Sequence, residues 1–436
     1  MKDSYGLELS TNSEEVVNIS EQFRNELLSM APGVTDILNH ADAYEDSLII
    51  QSYCAALWLY GQTGAADIEA GKYLDRARIN LKTANDREKL LFSALESWGN
   101  RNLNDSALKL EKLISEWPKD LVSLKFLEFI YYLLGQEFSG PRFLSSLQKI
   151  YEPNKSSGYF LSSFSFALEL CGKYDEALTT ANRAVEINEL NPWAHHTISH
   201  VYLKKGEIDN GTKILEDYEY IWEKSGQAIN SHNNWHLALM YLENLDHNKA
   251  FAFIDEKILK DTPHLVIQQL DAISLLWRLE MGGFEVPYGI WVQIGKEIFE
   301  NSKQSYIGFN SAHYIYALAR AGMQDELKRS MELNKGFSKK ISGSEQQVWD
   351  KIAIPLFEAS AAFAGENYQQ ASLTLKPIID NIIRVGGSDA QDDLFRQMYL
   401  VSLIKNKKKT ESAQYLDILS TSPELTPLQE YWKSLI

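Results

Sequence analysis

The amino-acid sequence predicts an all-α protein, and three observations support this fold class. From Asp46 onward, apolar residues recur at the 3.6-residue spacing of an α-helix, with short polar breaks between the segments. Alternating β-branched runs bounded by tight turns, which would indicate strands, are nearly absent. A turn that contains Gly172 is repeated at Gly206, 34 residues later, and this spacing is the period of a tetratricopeptide repeat.

The predicted elements follow in order from the N-terminus. Residues 1–45 are polar, with one helical pattern near Glu14–Met30, and we expect them to form a leader with a capping helix. The segment Ser52–Gly61 predicts a helix closed by its terminal glycine, and Ala70–Ala77 begins the helix that would pair with it. We expect residues 46–436 to form a single tetratricopeptide-like α-solenoid, a right-handed superhelix of helical hairpins.

The predicted repeating unit is a helix, a tight turn and a second helix. Gly172 permits the turn, and the small side chain of Ala177 lets the paired helices approach closely. The same turn is predicted at Gly365, with Ala371 in the place of Ala177 and Pro377 inside the second helix. Because each unit leaves one apolar face open, it buries that face on the next unit.

Composition and charge restrict the function. The net charge of -16 argues against a surface for nucleic acid or anionic membranes, because phosphate binding requires clustered Lys and Arg. No apolar stretch approaches the roughly 18 residues that a membrane span requires, and the polar N-terminal sequence lacks the apolar core of a secretory signal. Only Cys54 and Cys171 are present, which is no disulfide framework, so we expect a cytoplasmic protein.

The stretch from Asn191 to His236 contains two His-x-x-x-His pairs, His196/His200 and His232/His236. The nine histidines of the chain would give roughly 0.2 such pairs by chance. A four-residue step places the second imidazole one turn further along the same helical face. Two imidazoles in that arrangement can share a ligand, a metal ion or a proton.

We expect these imidazoles to converge on one cavity. Both pairs fall in the first helices of successive predicted repeat units, and His313 falls in the first helix of a later unit. In this architecture the first helices line the concave side of the superhelix. A single histidine on such a helix is often only a polar spacer satisfied by a backbone carbonyl or a hydroxyl. Five of them on inner helices favour a functional pocket.

Two chemistries fit such a pocket. In the first, the neutral imidazoles of both pairs bind a divalent transition metal such as zinc, iron or manganese, with Asp271 or Glu243 as an added ligand. In the second, one histidine is a general base or acid, and the others orient it or bind an anionic substrate. His200 and His236 are the preferred general base or metal ligands, because each lies further into its helix than its partner.

Other polar and aromatic residues are candidates for substrate contact. Asp271 and Arg278 lie seven residues apart on one helical face, so they could form a carboxylate–guanidinium pair that faces the cavity. Asn310 is a further supporting polar group. Trp193 and Trp235 are interpreted first as core residues, although indoles at a cavity wall would also suit a flat ligand.

Several common catalytic motifs are absent from the sequence. It contains no Walker phosphate loop, no G-x-G-x-x-G after a strand, no G-x-S-x-G elbow and no H-E-x-x-H. Kinase and dehydrogenase functions are therefore not favoured.

Several segments together resemble the tetratricopeptide repeat protein 38 family, including its bacterial relatives, along most of the chain. The segments that carry the resemblance are Ala194–Tyr202, Ser231–Leu239, Asp271–Leu279, Phe309–His313 and Gly386–Phe395. The resemblance implies an α-solenoid of tetratricopeptide-like helix pairs around a central cavity. It implies no particular reaction.

The function that we expect from the sequence is binding, and transformation by acid–base or metal-assisted chemistry, of a small molecule or short peptide in a histidine-lined concave cavity. The alternative belongs to a different class. Tetratricopeptide arrays commonly bind extended peptides or partner helices in the same groove without chemistry. In that case the histidines are polar groove residues of a scaffold that binds a protein partner.

Overall fold

A computed structural model describes residues 1–261, 264–422 and 424–436 of the chain. The described residues are predominantly helical. They contain no strand, and one isolated antiparallel bridge joins Lys2 to Glu8. The all-α prediction is therefore confirmed.

The described residues divide into two compact units. The first comprises Met1–Leu134, Ser139–Ile198 and Tyr220–Ile229, and the second comprises Gly135–Phe138, Ser199–Glu219 and Asn230–Ile436. All but one of the boundaries fall within helices rather than in loops. The structure does not test the prediction of one continuous array over residues 46–436, which stays a prediction.

The helices have the following bounds in chain order. From the N-terminus to the last unit boundary they are α1 Glu14–Ser29, α2 Leu48–Leu59, α3 Gly64–Ile79, α4 Asp86–Gly99, α5 Leu103–Glu116, α6 Leu121–Leu134, α7 Gln136–Lys149, α8 Tyr151–Asn154, α9 Gly158–Glu169, α10 Tyr174–Ile187, α11 Pro192–Lys205, α12 Ile208–Trp222 and α13 Gln227–Glu243. The remaining helices, all in the second unit, are α14 His247–Phe253, α15 Val266–Met281, α16 Tyr288–Glu297, α17 Gly308–Arg320, α18 Gln324–Ser338, α19 Gly343–Val348, α20 Ile354–Ala364, α21 Tyr368–Leu375, α22 Asp389–Lys405, α23 Lys409–Leu419 and α24 Pro427–Ser434. Shorter helical turns are Pro32–His40, Leu81–Thr83, Ile254–Ile258, Asn301–Lys303, Trp349–Ala353 and Ile379–Arg384.

Consecutive helices pack against each other in both units. In the first unit α2 packs on α3, α4 on α5 and α9 on α10, and in the second unit α20 packs on α21 and α22 on α23. Ala177 and Ala371, the small residues predicted at these contacts, are both fully buried. Sequential pairing is what the repeated hairpins predict, while the tetratricopeptide type and the superhelix stay predictions.

Many of the turns between paired helices share one hydrogen-bonding pattern. A residue one to three positions past the helix end has a positive φ and donates to a carbonyl three residues back, and the next residue donates to the carbonyl five residues before it. This is the Schellman motif, which satisfies the last carbonyl groups of a helix. Both bonds are present at Arg101, Gly172, Gly206, Leu245, Gly283, Gly322, Glu366 and Lys407.

The structure corrects two details of the late repeat. The residue with positive φ is Glu366, at 60°, whereas Gly365 has a φ of -86°. The second helix, α21, ends at Leu375, so Pro377 lies in the following turn and not inside the helix. Proline has no backbone N–H and its ring clashes with the preceding helical turn, which explains this helix end.

Three helices of the second unit are buried on nearly every side. These are the segment 231–242 of α13, together with α15 and α22. A helix buried all round normally carries apolar residues all round, but each of these helices carries charged or imidazole side chains. Buried polar groups require polar partners, so these helices position the candidate site.

No helix in the described part of the chain is long and apolar enough to cross a membrane.

Candidate functional site

The candidate site is a cluster of three imidazoles in the second unit, formed by His200, His232 and His236. His200 and His236 have no exposed surface, and His232 is 9% exposed. His200 lies near the end of α11, and the other two lie one turn apart on α13. The four-residue spacing in the sequence therefore does place two imidazoles side by side on a buried helical face.

His236 lies between the other two imidazoles. Its ring centroid is 4.6 Å from that of His200 and 4.8 Å from that of His232. The indole of Trp235 stacks on His232 with a centroid distance of 5.2 Å and an interplanar angle of 12°. His236 is therefore in direct contact with both of the other imidazoles, and the stacked indole of Trp235 restrains the ring of His232.

A carboxylate is bonded to each of the two outer imidazoles. The Nδ1 atom of His200 is 3.0 Å from an oxygen of Asp389, the first residue of α22, and Lys204 Nζ is 3.1 Å from the other oxygen. The Nδ1 atom of His232 is 2.9 Å from an oxygen of Asp271 on α15. Both carboxylates are buried, with Asp389 4% and Asp271 1% exposed.

These contacts assign the tautomer of both imidazoles. A carboxylate can only accept a hydrogen bond, so Nδ1 of His200 and of His232 carries the hydrogen. The nitrogen with which each ring can bind a metal ion or accept a proton is then Nε2. Histidines that bind metals almost always donate their other N–H to a carboxylate, a carbonyl or water in this way. Within the second unit, ligand atoms of His232 and His236 lie within 4.8 Å of each other, as do those of His200 and Asp389.

A cavity of about 350 Å³ adjoins this cluster within the second unit. Its size is at the lower end of the range for small-molecule sites. His200 is part of its wall, which connects the cavity to the imidazole cluster. The ionisable groups of the lining include His200, Lys204, Glu243, Arg278, Asp380, Asp393 and Arg396, and the apolar lining includes Leu239, Leu242, Ile418 and Trp432.

Burial shifts two carboxyl groups of the second unit toward their neutral form. Burial raises the pKa of Glu243 to about 7, against a hydrogen bond of 2.5 Å from the Thr426 hydroxyl that lowers it. Burial also raises the pKa of Asp392 well above its usual value, and nearby Glu137 acts in the same direction. Neither carboxyl oxygen of Asp392 has a hydrogen-bond partner among the described residues. Glu243 can therefore donate or accept a proton near neutral pH from the cavity wall.

Arg278 lies in the cavity wall, but it does not form the predicted pair with Asp271. Its guanidinium donates to the Ser274 hydroxyl and, at 2.7 Å, to the carbonyl oxygen of Ala390. Asp271 instead accepts the hydrogen bond from His232. The seven-residue spacing does place both residues on one buried helix. However, the carboxylate of Asp271 is directed at α13, where it bonds to the imidazole of His232 instead of the guanidinium of Arg278.

His313 does not join the imidazole cluster, although the sequence predicts five converging histidines. Its Nδ1 donates to the carbonyl oxygen of Phe309 at 2.9 Å, and its ring is surrounded by Phe309, Trp277 and Phe395. Burial lowers the pKa of His313 to about 3. This imidazole is therefore a neutral core residue. Asn310, one turn earlier on α17, is also buried.

His196 and Trp193 belong to the first unit. His196 is 4% exposed, and its ring lies 5.1 Å from Phe166 and 5.6 Å from Trp193. Trp193 is partly exposed, and the ammonium group of Lys125 lies 3.7 Å from its ring centroid. Trp235, in the second unit, is fully buried beside the imidazole cluster.

Several charged residues of the site were not identified from the sequence, among them Asp389, Asp392, Asp393, Lys204 and Arg396. A signal for three of them was available. Asp389, Asp392 and Arg396 follow one another at steps of three and four residues, so they share a face of α22. A stripe of charge on a helix that is also rich in large apolar residues indicates a polar lining inside the protein.

No model of a known protein family matches the chain.

Proposed function

We propose that His200, His232 and His236 bind one divalent transition metal ion, and that the protein uses this site to transform a small molecule held in the adjoining cavity. The observation that carries the proposal is the pair of carboxylate-bound imidazoles on either side of a third imidazole. Three imidazole ligands with an open position are typical of catalytic zinc sites. When bound, such an ion polarises a substrate oxygen or lowers the pKa of bound water.

The protein's own residues have separate roles in this proposal. Asp271 and Asp389 orient the imidazoles of His232 and His200, and their negative charge makes Nε2 more basic. Lys204 neutralises part of the charge of Asp389, which is buried. Glu243, whose pKa is about 7, supplies a general acid or base from the cavity wall.

We also propose a repeat type and a family relationship for this chain. We infer tetratricopeptide-like repeats related to the tetratricopeptide repeat protein 38 family. The matching turns at Gly172 and Gly206, 34 residues apart and both with a positive φ, support this inference. Neither Cys54 nor Cys171 forms a disulfide, which supports the expectation of a reducing cytoplasmic location.

Metal analysis of purified protein tests the proposed function. The protein is stripped with EDTA, titrated calorimetrically with Zn²⁺, Mn²⁺ and Fe²⁺, and analysed by mass spectrometry for bound metal. We expect about one ion per chain for the wild type and a loss of that ion in His200→Ala and His236→Ala.

His264→Ala is the matched control, because His264 also bonds a carboxylate, that of Glu297, but lies outside the cluster. This variant should keep the metal. Circular dichroism establishes that each variant is folded. A wild type that binds none of the three ions below about 100 μM, or a folded His236→Ala variant that binds as tightly as the wild type, would refute the metal site. A stoichiometric protein partner captured in the absence of metal would then favour the scaffold function.

A further inference from the structure

The charges that line the cavity of the second unit are not all compensated by one another. Two of its cations have carboxylate partners. Lys204 lies 3.1 Å from Asp389, and Arg396 lies 3.0 Å from Glu137. These two side chains therefore add little net charge to the cavity.

Arg278 is different. It is 2% exposed, and its guanidinium donates to the Ser274 hydroxyl and to the carbonyl oxygens of Ala390 and Gln391. It forms no ion pair with a carboxylate of the described residues. Burial of a cation that lacks a direct ion pair is costly, and burial lowers the pKa of Arg278 to about 10. The group is still protonated at neutral pH and would bind an anion in the cavity strongly.

Asp393 presents the opposite charge to the same cavity. It is partly exposed and accepts a hydrogen bond of 2.7 Å from the neutral amide of Gln397. Within the described part of the chain it forms no ion pair with a cation. Asp393 is also the residue whose charge interacts most strongly with Arg278, so the two groups lie in the same region of the wall.

We propose that the cavity binds a small zwitterion, an aliphatic amino acid or short dipeptide, with its carboxylate on Arg278 and its ammonium group at Asp393. A simple anion would be repelled by Asp393, and a simple cation by Arg278. A zwitterion satisfies both groups at once. Leu239, Leu242, Ile418 and Trp432 offer an apolar surface for an aliphatic side chain.

This inference names the substrate class of the proposed function, and it rests on that function only because His200 belongs to both the cavity and the imidazole cluster. The carboxylate and ammonium sites themselves need no metal ion. Binding can therefore be measured on protein stripped with EDTA, and its result is independent of the metal titration described above.

Calorimetric titration with four probes tests the proposal: L-leucine, the dipeptide Ala-Leu, N-acetyl-L-leucine and L-leucinamide. The last two each lack one charge of leucine. We expect leucine or Ala-Leu to bind, and removal of either charge to weaken binding at least tenfold. N-acetyl-L-leucine that binds as tightly as leucine, or no binding of either zwitterion at 10 mM, would overturn the proposal.

The variant Asp393→Asn sharpens the test, because it keeps the hydrogen-bonding shape and removes only the negative charge. It should weaken leucine binding at least tenfold and leave N-acetyl-L-leucine binding equal or stronger. Asp417→Asn, an exposed residue on α23, is the control and should bind as the wild type does. If Asp393→Asn binds all four probes as the wild type does, the ammonium site is wrong.

Arg278→Lys, which keeps the charge but loses the planar guanidinium, should reduce binding of every carboxylate probe.

Discussion

Asp271 accepts a hydrogen bond from Nδ1 of His232, and this contact fixes both the tautomer and the direction of the imidazole. A carboxylate in this position also increases the basicity of the opposite ring nitrogen. Removing such a partner typically costs 10–100-fold in metal affinity.

We predict that Asp271→Asn weakens zinc binding by about tenfold. The amide oxygen can still accept the hydrogen bond from Nδ1, so the ring keeps its position, but the negative charge that favours metal binding is lost. Competition titration with a chromogenic chelator measures the change. Glu297→Gln is the matched control, because it makes the same change at the His264–Glu297 pair outside the cluster. Equal affinities for Asp271→Asn and the wild type would argue against His232 as a ligand.

Residues of the site differ in how far the sequence could identify them. His232 and His236 could be paired from the sequence because they are neighbours on one helix. Asp389 could not be assigned to His200, because 189 residues separate the two and only tertiary packing brings them together. The same reason explains the error at Arg278. A helical spacing shows that two side chains share a face, but not which neighbouring helix offers a better partner.

At the scale of the secondary-structure elements, Gly172 and Gly71 have different backbone conformations, since one lies in a turn with a positive φ and the other in the middle of a right-handed helix. Gly172 has a φ of 72°, whereas Gly71 lies inside α3. A Cβ atom built at either position meets no atom within 4 Å. Substitution by alanine at either site therefore tests backbone conformation without a steric clash.

We predict that Gly172→Ala lowers the free energy of unfolding by about 1 kcal/mol, because an L-residue is strained at a positive φ. Gly71→Ala should raise it by about 0.5–1 kcal/mol, because alanine favours the helix. Urea unfolding followed by circular dichroism measures both changes, and the two variants control for each other since the substitution is identical. Changes of the same sign would contradict this assignment of the turn.

The turns also explain why the repeats were hard to recognise in the sequence. At Arg101, Leu245, Glu366 and Lys407 the residue with positive φ is not glycine. The Schellman hydrogen bonds are made by the backbone, so they form whatever the side chain is. The strain at such a residue costs about 1–2 kcal/mol, which packing of the paired helices offsets. Periodicity therefore predicted the helices well, while the glycine signal identified only part of the turns.

At the scale of the whole molecule, the chain has a net charge of -16, yet burial shifts several of its titratable groups toward their neutral form. Burial lowers the pKa of His195 and of His313 to about 3, and it raises the pKa of Glu243 to about 7. These groups affect stability in opposite directions. Because the folded protein keeps both histidines neutral, its free energy of unfolding decreases as the pH falls below 6.5, the ordinary imidazole pKa. The contribution of Glu243 is present below its ordinary value of 4.5 and is lost as the pH rises through about 7.

The contribution of His313 can be isolated by comparing one variant with the wild type over a range of pH. Above pH 6.5 the imidazole is neutral in both the folded and the unfolded chain, so it adds no pH dependence. Below that value the unfolded chain binds a proton that the folded protein excludes until about pH 3. Phe309, Trp277 and Phe395 surround the ring, and the positive charge of Arg278 opposes protonation further. The wild type should therefore lose about 1.4 kcal/mol of stability per pH unit from this group alone.

We predict that His313→Gln is less stable than the wild type at pH 7, because the neutral imidazole fits its aromatic surroundings, and that this deficit shrinks by about 2 kcal/mol between pH 7 and pH 5. The contributions of Glu243, His195 and the other titratable groups are common to both proteins and cancel in the difference. Urea unfolding at half-unit pH intervals measures the free energy of unfolding of both proteins as a function of pH. Parallel curves over this range would mean that His313 takes up its proton in the folded protein near its ordinary pKa. The aromatic packing would then not exclude the charged form, and the imidazole would have access to water or to an acidic partner.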